Sequence, residues 1–79
     1  MKYKTETLAD ALPRQIDRVM AKRDRWIRMA AEHPEMASSL AFTVALMQHD
    51  ISVAVRAAAS GDVIAMMTAY ENLTDYDDD

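Results

Sequence analysis

A chain of 79 residues, 51% hydrophobic and 28% charged, with one glycine, two prolines and no cysteine, has room for one small domain and hardly for two. The lack of thiols excludes a disulfide framework and a thiolate metal site, and the single glycine excludes a phosphate-cradling loop. The surplus of helix formers over turn formers predicts an all-α fold. The net charge of −4 conceals a bipolar chain: residues 1–28 carry eight basic against four acidic groups, +4, and residues 29–79 carry Arg56 alone against nine acids, −8.

Residues 1–11 are polar and weakly periodic; Thr7 and Asp10 have the spacing of a capping box, but the segment reads as an N-terminal arm. Pro13 suits the first turn of a helix, because its missing N–H has no intrahelical partner there, so the first helix is expected from about Pro13 to Glu32, ahead of His33-Pro34. At about 100° per residue, Leu12, Ile16, Val19, Met20, Trp26, Ile27 and Ala30 share its core face. Arg23 projects into that face and needs a carboxylate, for which Asp50 is the candidate. On the opposite side Arg14, Arg18, Lys22, Arg25 and Arg28 form a continuous basic stripe, the candidate partner-binding surface.

His33 to Ser39 reads as a loop, with Ser38 or Ser39 capping a second helix that runs to about Ala59. One of its faces carries Leu40, Val44, Met47, Ile51, Ala54, Val55 and Ala58. The nearly opposite face carries Phe42, Leu46, His49 and Val53 at spacings of four, three and four, a coiled-coil seam two heptads long. A helix apolar on two sides needs two neighbours, and the seam is the candidate dimer interface. Ser60-Gly61-Asp62 supplies a left-handed C-terminal glycine and an N-capping aspartate, so the third helix follows as the antiparallel arm of a hairpin. Val63, Met66, Met67, Tyr70 and Leu73 are expected on its core face, and residues 75–79 as a frayed acidic tail.

The architecture expected is a single compact three-helix domain over residues 1–79, with helix 1 packed across the helix 2–helix 3 hairpin. A core this small supplies about 3–5 kcal/mol, and without cysteine the remaining staple is self-association, which makes a homodimer the expected state. No apolar run approaches the roughly 20 residues of a membrane span, and MKYKTETLAD has no signal-peptide core, so a soluble cytoplasmic protein is expected.

Catalysis would require a nucleophile, a base and an orienting group from among Ser38, Ser39, Ser52, Ser60, His33 and His49, and none of these stands in a catalytic motif. No enzyme activity, no cofactor and no metal site are expected. Of the seven methionines, Met20, Met47, Met66 and Met67 fall on core stripes, while Met29 sits at the edge of the basic face, where it could border a partner site. Five cations along one helix face could follow a phosphate backbone, yet a charged outer face is the ordinary state of a solvated helix, and an acidic protein partner would also suit it.

The stretches Leu12-Pro13-Arg14-Gln15-Ile16-Asp17-Arg18-Val19 and Met47 through Tyr76, especially SGDVIAMMTAYENLTDY, resemble a group of small, largely uncharacterised accessory proteins encoded by bacterial phages and prophages. About half of the chain takes part, and the shared features are a helix start and a tight interhelical turn. The resemblance implies a dispensable gene product of the bacterial host cytoplasm that binds a host protein and inhibits or adapts it, and it carries no functional residue over. The function expected is therefore a non-catalytic protein-binding module. The alternative is a small dimeric nucleic-acid-associated regulator that presents the basic stripe of helix 1.

Overall fold

In a computed structural model, residues 7–76 are described, and they form three α-helices and one short 3-10 turn with no strand among them. α1 spans Leu8–Glu32, the 3-10 turn Pro34–Met36, α2 Ala37–Ser60 and α3 Val63–Thr74. The fold is the expected compact all-α one, with α1 packed against both arms of the α2–α3 hairpin.

α1 begins five residues before the expected start. Thr7 caps it: its hydroxyl accepts the Asp10 N–H at 3.2 Å and donates to Asp10 Oδ2 at 3.0 Å. The spacing that resembled a capping box is thus the helix start, and the segment Leu8–Ala11 is helix; residues 1–6 of the expected arm lie outside the described residues. Pro13 then falls inside the helix. It removes the N–H that would have bonded the carbonyl of Ala9, but Ala9 is exposed, so water can take that carbonyl.

The connection to α2 is tighter than a loop. The His33 N–H closes α1 on the Met29 carbonyl at 2.9 Å, and Pro34–Met36 winds into a 3-10 turn that runs straight into α2 at Ala37. Ser38 and Ser39 therefore lie within the first turn of α2, and neither caps it. At the other end Gly61 takes φ 73°, ψ 6°, and the Asp62 carboxylate accepts the N–H groups of Ile64 and Ala65 at 3.0 and 3.2 Å. A Cβ on Gly61 would meet nothing within 4 Å, so Gly61→Ala isolates the backbone strain. The expected loss is about 1–2 kcal/mol, read as a lower urea midpoint with unchanged slope.

The core joins Leu12, Ile16 and Val19 of α1, Met47, Ile51, Ala54 and Ala57 of α2, and Met66, Ala69 and Leu73 of α3. Four expected core residues turn outward instead: Ile27 is 46% exposed, Val55 49%, Val63 62% and Met67 51%. The small residues Ala57 of α2 and Ala69 of α3 are buried in this core, so the buried faces of α2 and α3 are rotated from the ones their large side chains define. Met20 and Tyr70 pack on the core half-buried.

Helix length decides where the core ends. α1 and α2 have 25 and 24 residues, each about 37 Å long, but α3 has 12 and reaches about 18 Å. Its C-terminal end is fixed beside the middle of its neighbours, where Arg18 bonds the Leu73 carbonyl and Tyr76 bonds Asp50. Beyond that point the molecule is a two-helix arm of α1 and α2. Five of the nine exposed large apolar side chains, Ile27, Met29, Met36, Phe42 and Leu46, lie on this arm.

Candidate protein-binding surface

Phe42, Leu46, His49 and Val53 project from one side of α2, opposite the buried face of Leu40, Met47, Ile51 and Ala54. Phe42 is 69% exposed and Leu46 47%; His49 is exposed and Val53 half-buried. At the level of Phe42 and Leu46, α3 has already ended. Such a contiguous apolar strip is the kind of surface that marks an association site, whereas isolated apolar side chains need no explanation.

The basic stripe does not stay on the surface as one row. Arg14, Arg25 and Arg28 are exposed, but Lys22 is 6% exposed, with its ammonium 5.6 Å from the centre of the Trp26 ring. Packing of α1 against both other helices widens its buried face past the expected stripe and takes in the Lys22 stem, a cation–π contact holding the head. Arg18 is half-buried; its Nε donates to Gln15 Oε1 at 2.9 Å and its Nη2 to the Leu73 carbonyl at 2.7 Å, closing the C-terminal end of α3. Arg14, Arg18, Lys22 and Arg25 each have further interaction partners within the protein. The stripe is thus partly structural.

Arg23 meets Gln48 rather than Asp50. Its Nη1 donates to Gln48 Oε1 at 2.8 Å, and its Nε and Nη2 grip Asp24 Oδ1 at 3.1 Å. The guanidinium leaves the core at its edge and so needs no buried carboxylate. Asp50 instead accepts the phenol of Tyr76 at 2.7 Å. The expected frayed tail is therefore tied down through Tyr76, and residues 77–79 lie outside the described residues. The aromatic ring in the acidic terminus was the available signal, since a phenol can bury its body and still serve a carboxylate.

The Tyr76 phenol is pushed up from 10.0 to about 12, first by burial and then by its hydrogen bond to Asp50 and the charge of that carboxylate. The raised value belongs to the folded state, so the stabilisation is fully present below pH 10 and is lost as pH rises through 12. Tyr76→Phe should cost about 1 kcal/mol at neutral pH, because the half-buried Asp50 loses its donor. Phenolate absorbance should show one group titrating near 12 that the variant lacks, and the stability gap between the two proteins should close across that window. A gap unchanged from pH 9 to pH 12 would show that the bond contributes nothing.

The residues considered for catalysis are dispersed. His33 sits at the α1–α2 corner, 3.4 Å from the Glu35 carboxylate, His49 and Ser52 are exposed on α2, and the Ser60 hydroxyl is engaged with the Ala57 carbonyl and the Asp62 N–H in the turn. Among the described residues no three His, Asp or Glu side chains are grouped to hold a metal ion. A shallow, open depression between the start of α1 and α3 is lined by Thr7, Leu8, Ala11 and Tyr70. No helix among the described residues is long and apolar enough to cross a membrane. No protein-family model matches the chain, and comparisons with curated proteins and with solved structures find no match either.

Proposed function

We propose that this chain is a non-catalytic protein-binding module that pairs with a second copy through Phe42, Leu46, His49 and Val53 and engages a further protein. The observation that carries this reading is the apolar strip on α2 at the level where α3 has ended, with Phe42 69% and Leu46 47% exposed. Two copies joined there would bury both strips in a four-helix contact between their α1–α2 arms. The resemblance to phage and prophage accessory proteins supports a bacterial cytoplasmic setting and a target among host proteins, which the module would inhibit or adapt.

The nucleic-acid reading has less to stand on. It needs five cations in one accessible row, and Lys22 is buried while Arg18 holds the end of α3. Affinity capture of the tagged protein from a bacterial lysate, with and without nuclease, tests the two against each other. A discrete protein retained after nuclease is the expected result. Retention of nucleic acid alone, lost with nuclease and steeply weakened by salt, would overturn the protein-binding reading.

A further inference from the structure

A second apolar patch lies away from the α2 strip. Val63, Ile64 and Met67, in the first turns of α3, are 62%, 76% and 51% exposed. Their placement follows from the cap: Asp62 fixes the start of α3, and the burial of Met66, Ala69 and Leu73 turns these three to the outside. At 100° per residue, Ile64, Met67, Glu71 and Asp75 then recur along one outer stripe about 16 Å long. It is apolar at its start and acidic at its end.

The charge that α3 and its two caps contribute has one sign. Asp62, Glu71 and Asp75 are exposed along it, α3 contains no basic residue, and no Lys, Arg or His follows Arg56 in the sequence. Arg18 of α1 reaches the C-terminal end of α3, where it bonds the Leu73 carbonyl. Helix formation does not explain the patch, because β-branched Val63 and Ile64 are mediocre helix formers and gain nothing from a wet outer face.

We infer that the outer face of α3 is the docking surface for a cationic amphipathic helix of the target protein, its apolar side chains seated on Val63, Ile64 and Met67 and its lysines or arginines facing Glu71 and Asp75. The inference rests on the protein-binding reading and assigns the two apolar surfaces different tasks, self-pairing on α2 and target binding on α3. The occupant follows from complementarity: an acidic partner would be repelled by Glu71 and Asp75, and a purely apolar one would leave both carboxylates against it without counter-charge.

The test is a nitrogen-15 NMR titration of the full chain with a synthetic leucine-lysine helix in heptad spacing, beside a leucine-glutamate helix of the same pattern. The expected result is shift changes concentrated at Ile64, Met67 and Glu71 with the lysine helix and none with the glutamate helix. Ile64→Asp should weaken binding about tenfold or more, and Glu71→Lys should weaken it and flatten its salt dependence. Both positions are exposed, and an aspartate in the first turn suits the helix dipole, so both variants should fold. Shifts centred on Phe42 and Leu46, equal binding of both helices, or α3 shifts produced by concentrating the protein alone would overturn the inference. Those outcomes leave the α2 pairing to be judged separately by sedimentation.

Discussion

Leu73→Ala should leave most of the chain unfolded at 25 °C. Leu73 is fully buried in the last turn of α3, where it closes the core against α1 and α2, and its carbonyl anchors Arg18. Removing a buried leucine side chain costs about 2–5 kcal/mol, and a core of this size supplies about 3–5 kcal/mol in all. Loss of far-ultraviolet helical signal and of the cooperative urea transition would report it. Val55→Ala is the control: at 49% exposure it should change stability by no more than about 0.5 kcal/mol, although it too removes a branched apolar side chain. Because the proposed pairing would add concentration-dependent stability, both belong at one protein concentration. Equal midpoints for the two variants would mean that α3 is not docked as described.

Leu46→Asp should separate the paired chains while leaving the protomer folded. Leu46 is 47% exposed in the single chain, so the substitution costs the monomer only the weaker helix propensity of aspartate, about half a kcal/mol. In a two-fold contact the same residue enters twice, and each carboxylate would lose water against the Phe42 ring of the strip, at several kcal/mol unless protonated. Pairing should therefore weaken by at least about 100-fold, seen as a shift from dimer to monomer in sedimentation at unchanged helical content. A variant that sediments like the parent would remove Phe42, Leu46, His49 and Val53 from the interface. A parent that is monomeric at high concentration would remove the pairing itself.

The end of α1 and the turn of the hairpin were legible because the groups that set them are local. A proline before α2, a glycine free to take φ 73° and an aspartate two residues short of Ile64 act within one turn, and no distant residue can replace them. The start of α1 was misread for a related reason: Pro13 is compatible with a helix start, and only the side-chain bonds of Thr7 to Asp10 show the helix beginning earlier. The two-sided apolar pattern of α2 likewise placed Phe42 and Leu46 opposite Met47 and Ile51 without reference to any neighbour.

Which apolar side chains are buried was decided by contacts that periodicity does not encode. Helix faces are read from large residues, but in α2 and α3 the small Ala57 and Ala69 lie in the core while Val55, Val63 and Met67 are exposed. The same holds for charge: Arg18, Arg23 and Asp50 each found a partner across the fold, in the Leu73 carbonyl, Gln48 and Tyr76, while packing of α1 buried Lys22 beside Trp26 one turn on. By itself the sequence determined three helices, the Gly61 and Asp62 caps of the hairpin turn and an outward apolar strip, all consequences of interactions within four residues. Only the tertiary structure decided which cations stay on the surface and that α3 presents a second apolar face, because both depend on where a short third helix lies against two long ones.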